Sequence, residues 1–140
     1  MGCLLDTNIV SAAINSVDSM QRRIRTAVRE KKDVFISIIT HYEIKRGLLA
    51  VNATRKMRIF EELCKQFDIL WLDTLEVSEK ASQIYTELKK KGELIPDNDI
   101  MIAATALIHN LILITNDEHF SRITNISVEN WLREKPSDQQ

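Results

Sequence analysis

The chain has 140 residues, 44% of them apolar, which is one domain's worth of sequence and enough to bury a core without disulfide or metal staples. Nineteen basic against twenty acidic residues leave a formal charge of −1, so no global field draws the protein to nucleic acid or membrane, and any affinity for a polyanion must be local. Cys3 and Cys64 lack the spacing of a disulfide framework or a metal site, no apolar run approaches the roughly 18 residues of a membrane span, and no basic region precedes an apolar stretch. These features predict buried thiols and a cytoplasmic protein.

Strand-like and helix-like segments alternate along the chain, the pattern of a parallel sheet covered by helices on both faces. Cys3 to Leu5 is short and apolar and ends at Asp6-Thr7-Asn8. Met20, Ile24, Ala27 and Val28 then repeat at helical spacing. Val34-Phe35-Ile36 reads as a second strand that passes through Ser37 into a helix. Phe67 to Leu72 reads as a third strand, interrupted by Asp68. Val77, Ala81, Ile84, Tyr85 and Leu88 mark an amphipathic helix that should stop at Lys89-Lys90-Lys91 with Gly92 as a left-handed cap. After Pro96, Ile100 to Leu107 is apolar nearly all round and reads as a buried helix. Leu111 to Ile114 is a strand buried on both faces, ending at Thr115-Asn116-Asp117, and a weaker strand lies near Ile126-Ser127-Val128. The expected fold is a three-layer α/β/α domain over residues 1–132 with a mostly parallel sheet of four or five strands, followed by a polar tail over 133–140.

In such a sheet, ligands bind beyond the carboxyl ends of the strands. Asp6 and Asp117 leave strands at that edge, while Glu43 and Asp99 stand in early turns of helices that begin there, so four carboxylates are expected to converge. Like charges in one pocket are tolerated by protonation or by a bound cation, and an all-oxygen set favours Mg²⁺ or Mn²⁺. His41, His109 and His119 share no spacing that suggests zinc. Phosphodiester hydrolysis is the chemistry such a site suits.

Each acid also has a purely structural reading. Glu43 falls three residues after Thr40, the spacing of a capping box. Asp97 reads better as the N-cap of the buried helix than as a ligand, Asp99 as a first-turn charge favouring the helix dipole, and Asp6 and Asp117 as ordinary residues leaving a strand. The coincidence of all four at one edge outweighs these separate readings. Of the basic residues, Arg22, Arg23, Arg25, Arg29, Lys31 and Lys32, like Arg55, Lys56 and Arg58, read as solvated helix faces, whereas Lys45 and Arg46, within a turn of Glu43, are placed to touch a substrate phosphate. Trp71 and Trp131 read as core aromatics.

Leu4-Leu5-Asp6-Thr7-Asn8, Tyr42 to Gly47, Asp99 to Ala104 and Thr115-Asn116-Asp117, in that order, resemble the PIN domain, most nearly the VapC toxins of bacterial type II toxin–antitoxin systems. The resemblance runs from the first strand to Trp131. It implies a Mg²⁺-dependent endoribonuclease inhibited by a VapB-like antitoxin, acting in the cytoplasm on RNA, with transfer RNA a candidate, and commonly paired as a homodimer. Position by position it implies that Asp6 and Asp99 hold the metal, with Glu43 and Asp117 as the third and fourth acids, Asn8 supporting Asp6, and Thr115 and Asn116 as the polar residues beside Asp117. The readings set against it are a non-catalytic PIN module, and a receiver-like module, whose first-strand acids are normally adjacent whereas Asp6 stands alone; a haloacid-dehalogenase-type phosphatase would need a second acid where Asn8 stands.

Overall fold

The computed structural model describes residues 2–15, 18–30 and 33–133; Lys31, Lys32 and the polar tail beyond Arg133 lie outside the described residues. Elements follow in the order β1 (Cys3–Leu5), α1 (Thr7–Ile14), α2 (Asp18–Arg29), β2 (Val34–Ser37), α3 (Ile38–Ala50), α4 (Thr54–Cys64), β3 (Asp68–Leu70), α5 (Leu75–Lys90), α6 (Asp97–Ile108), β4 (Ile112–Ile114) and β5 (Val128–Glu129), with a 3₁₀ helix over Glu118–Arg122. The five strands form one sheet in the order β3-β2-β1-β4-β5, and every pairing is parallel. The chain thus starts at the centre, builds outward through β2 and β3, and returns to lay β4 against the other side of β1. That reversal puts a crevice at the carboxyl ends of β1 and β4, the place where open α/β sheets bind ligands.

Strand alternation sorts the core into two layers. Cys3, Leu5, Val34, Ile36 and Ile114 face a layer built with α1, α2 and residues Ile44 of α3 and Phe60 of α4. Leu4 and Leu113 face the opposite layer, with α5, α6, Phe120 and Ile123. α6 buries Ile100 and Ile102 together with Ala103, Ala104, Thr105 and Ala106, and the alanines let it lie close to its neighbours. No helix among the described residues is long and apolar enough to cross a membrane.

Helix ends follow their local chemistry. α5 closes on Gly92 at φ +67°, with the Gly92 and Glu93 amides donating to the Lys89 and Leu88 carbonyls. α3 and α6 end the same way on Asn52 and Asn110, the residue type that best tolerates this conformation after glycine.

Three expectations change. The third strand is only Asp68–Leu70, and Trp71, just past it, is 59% exposed rather than in the core, because the short edge strand releases the chain before it can turn inward. Trp131 is buried as expected, its indole N–H donating to Glu129 at 3.2 Å. The thiol of Cys3 is buried but that of Cys64 is only partly so, and burial pushes the latter up from its ordinary value.

Candidate active site

Parallel register sets the floor of the site. Leu5 pairs with both Ile36 and Ile114, so the next residue of each strand, Asp6, Ser37 and Thr115, stands level at the carboxyl edge. Asp6 is 4% exposed and occupies the N-cap position of α1, yet its carboxylate makes none of the usual capping bonds. It accepts the Thr115 hydroxyl at 2.7 Å instead. That hydroxyl in turn accepts the Asp117 amide at 3.0 Å, so its one proton is committed to Asp6.

Glu43 lies in the second turn of α3, which leaves the end of β2. The helix is capped by Ser37, whose side chain accepts the Ile39 amide at 3.0 Å. The capping box of Thr40 and Glu43 is therefore not formed, since the helix starts before Thr40. Glu43 instead accepts the Thr7 hydroxyl at 3.1 Å, and Thr40 lies 3.2 Å from the same hydroxyl. Asp99 sits in the first turn of α6. The N-cap there is Pro96, not Asp97, which is the first helical residue and makes no capping bond. Asp117 precedes the 3₁₀ helix and caps it, its Oδ1 accepting the His119 amide at 2.9 Å and lying 3.1 Å from His119 Nδ1.

All four acids meet electrostatically. Burial pushes the Asp99 carboxyl up to about 6, and the charges of Asp6, Asp117 and Glu43 add to the rise, with His119 opposing it. Asp6 is also raised, first by burial and then, in lesser measure, by Glu43 and Asp117, against the lowering effect of the Thr115 hydrogen bond. Among the described residues no lysine or arginine lies within ion-pair distance, 4.0 Å, of any of the four.

This donor set fits a hard divalent cation: oxygen only, negative, and, among the described residues, without a lysine or arginine paired to it. Among the described residues no three acidic, histidine or cysteine side chains already close a ligand cage. Mg²⁺ does not require such a cage, being commonly held by one or two carboxylates with water filling the rest of its shell.

Other expected residues fall differently. Asn8 does not support Asp6; its carbonyl oxygen accepts the Asn116 amide at 3.2 Å, and the Asn116 side chain accepts from Asn130 at 2.9 Å, so this pair ties down the loop carrying Asp117. Thr115 has the role expected of Asn8. The Lys45 charge bears on His41 and Cys64. Arg46 stays beside the acids: its guanidinium lies 4.9 Å from the Tyr42 ring centroid, and it is held protonated first by Tyr42 and then by the Glu43 charge. Sequence reasoning passed over Thr7 and His119. The signal for Thr7 was its place between two site residues, whereas His119 had none, because a histidine that serves a carboxylate across a 3₁₀ turn follows no metal-binding spacing.

A family model described as the PIN domain matches residues 3–126. The chain belongs to the PIN-domain family. Among curated relatives, it is 35% identical over 127 residues to ribonuclease VapC1 of Methanocaldococcus jannaschii, covering 90% of this chain and 84% of that one. It is 33% identical to ribonuclease VapC2 of Rickettsia felis, covering 91% and 96%. Among solved structures it superposes with TM-score 0.82 on a chain of the Rickettsia felis VapBC2 complex bound to a promoter DNA fragment, at 30% identity over 94% of this chain and 99% of that one. The DNA-bound VapBC of Salmonella typhimurium gives TM-score 0.83 at 28% identity, covering 94% and 98%. The expected α/β/α PIN fold is thus present, with the sheet wholly parallel.

Proposed function

We propose that this PIN-domain protein is a Mg²⁺-dependent endoribonuclease, the toxin of a type II toxin–antitoxin pair, with Mn²⁺ an alternative ion. The observation that carries the reading is the gathering of Asp6, Glu43, Asp99 and Asp117 at the sheet's reversal point with no lysine or arginine paired to them among the described residues, which leaves Asp99 at about 6. Relatives named as ribonucleases over nine-tenths of the chain support the substrate class. Neighbouring structures that are toxin–antitoxin complexes support a VapB-like antitoxin as partner.

Asp6 and Asp99 would hold the ion, with Glu43 and Asp117 completing or orienting its surroundings. A divalent ion bound by these residues would supply activation of water and stabilisation of the departing oxygen of a phosphodiester. Thr115 fixes the Asp6 carboxylate, Thr7 fixes Glu43, and the His119 amide fixes Asp117, so these three acids arrive already oriented. In-line attack by water on phosphorus breaks the bond to the 3′ oxygen, giving a 5′-phosphate and a 3′-hydroxyl without a covalent enzyme intermediate. Transfer RNA is a candidate substrate, and a homodimer the proposed assembly.

Incubation of the purified protein with structured and unstructured RNA, in Mg²⁺ and then in EDTA, tests the reading. Cleavage should require Mg²⁺ and vanish in Asp6→Asn and Asp99→Asn with the circular dichroism unchanged. Full activity in either variant would overturn the ligand assignment, and no cleavage by the wild type would overturn the enzymatic one.

A further inference from the structure

Helix α3 presents a bare strip beside the acids. Thr40 and Glu43 face Thr7 at the start of α1, and one turn beyond Glu43 on the same ridge stands Gly47. Gly47 has a negative φ and a Cβ placed there would meet nothing within 4 Å, so neither backbone conformation nor close packing inside the chain calls for glycine. Glycine in a helix interior weakens the helix. Its presence keeps the ground next to Glu43 low, where something from outside the chain can approach.

Two exposed side chains of α3 flank Glu43 in sequence and on the next turn, Tyr42 just before it and Arg46 three residues after it. Tyr42 is 52% exposed, and the Arg46 guanidinium covers one face of its ring at 4.9 Å. The pairing holds the ring in place and leaves its other face to solvent. A pinned aromatic face next to a cation, one residue from Glu43, has the composition of a single-stranded nucleic-acid platform: the base stacks on the ring and the phosphate meets the guanidinium.

We propose that Tyr42, held by Arg46, is the stacking platform for an unpaired base next to the phosphodiester that is cut, and that it selects for single-stranded RNA at that position. The inference rests on the ribonuclease reading above. A base locked in a duplex cannot reach the ring, so the site would discriminate an unpaired loop from a stem.

The test uses the full chain carrying Asp99→Asn, which leaves RNA intact, and a short single-stranded RNA with one 2-aminopurine. Adding Tyr42→Ala should weaken binding about tenfold, in the lower part of the range for one stacked base, and abolish the quenching of 2-aminopurine fluorescence. Tyr42→Phe should keep both within twofold, and binding of a duplex of the same sequence should not change in either variant. In the otherwise wild-type chain, Tyr42→Ala should raise KM about as much as it weakens binding and leave kcat within twofold. Undiminished affinity and quenching in Tyr42→Ala would overturn the platform. If that variant instead shifts the oligomeric state in light scattering while RNA affinity holds, the patch is a protein contact and the proposal is wrong. Failure of the ribonuclease reading is seen separately, as wild-type protein that binds this RNA without cutting it.

Discussion

The Thr115 hydroxyl donates its only proton to the buried Asp6 carboxylate, 2.7 Å away, and is itself aimed by the Asp117 amide. Two acids of the site are therefore linked through one side chain. Replacing that hydroxyl with a methyl leaves a buried carboxylate short of a partner, which costs about 1.5–3 kcal/mol when the group is charged. Thr115→Val should lower the melting temperature and reduce RNA cleavage about 10- to 100-fold, the range for losing a residue that orients a metal ligand. Thr115→Ser keeps the hydroxyl and should recover most of both. Thermal melts and initial rates on the three proteins check this, and a Val variant that cuts at the wild-type rate would remove Thr115 from the machinery.

Acid crowding makes a second prediction with a definite sign. Asp99 titrates at about 6 in the fold against 3.8 for the free group, so between these values the native state holds more protons than the unfolded chain. The Asp99 contribution to the stability of the metal-free protein must then fall as pH rises from about 4 through about 6, and stay low above it. Asp6, also raised, acts in the same direction. His41 opposes it, its own value being lowered by burial and then by Lys45. The difference between wild type and Asp99→Asn isolates the Asp99 contribution from that background. In EDTA the variant should match or exceed the wild type at pH 8 and lose that advantage at pH 5. Mg²⁺ should raise the wild-type melting temperature more at pH 8 than at pH 5, and a wild type that gains stability over the variant with rising pH in EDTA would contradict the crowding.

Much of this arrangement was readable from residue order. Asp6 and Asp117 follow short apolar runs, Cys3 to Leu5 and Leu111 to Ile114, that read as strands, and Asp99 opens a helix whose alanines demand burial. Their convergence follows from parallel topology alone. What was not readable depends on where helices start and on cross-chain hydrogen bonds. Thr40 and Glu43 have capping-box spacing, but the box requires Thr40 at the N-cap, and Ser37 takes that place because β2 ends there. Asn8 and Thr115 are both small polar residues near Asp6; which of them reaches it is decided by strand pairing, since Thr115 is level with Asp6 across β1 and β4 while Asn8 is already inside α1. Trp71 looked like core because exposure at an edge strand leaves no trace in a short apolar run. Lys45 and Arg46 are neighbours in sequence and about 100° apart on the helix, so they meet different surroundings, the Lys45 charge bearing on His41 and Cys64 and that of Glu43 on Arg46.

Ser37 offers a test of how the fold holds Glu43. It is fully buried at the end of β2 and accepts the Ile39 amide at 3.0 Å, serving strand and helix at once. Ser37→Ala removes the cap, a loss of about 1 kcal/mol. The melting temperature should fall, while Ser37→Thr or Ser37→Asp, if accommodated, keeps an acceptor. Because α3 is anchored at several other points, cleavage at a temperature well below the transition should drop less than threefold in Ser37→Ala. A loss comparable to that of Thr115→Val would mean that the cap sets the position of Glu43 directly.

Gly47 separates stability from function most cleanly. Its φ is negative and the space beyond its missing Cβ is open, so alanine fits without strain and restricts the unfolded chain. Gly47→Ala should therefore raise stability by about 0.5–1 kcal/mol, read as an upward shift in the denaturation midpoint. One methyl group barely raises the ridge beside Glu43, and KM for RNA should change less than twofold. Gly47→Leu keeps the gain in helix propensity but stands a full side chain on the approach to the acids, so KM should rise several-fold while the melting temperature stays at or above the wild-type value. A Leu variant that is both more stable and kinetically unchanged would show that nothing approaches this strip, whereas a destabilised Ala variant would mean that Gly47 is held in a conformation alanine cannot share.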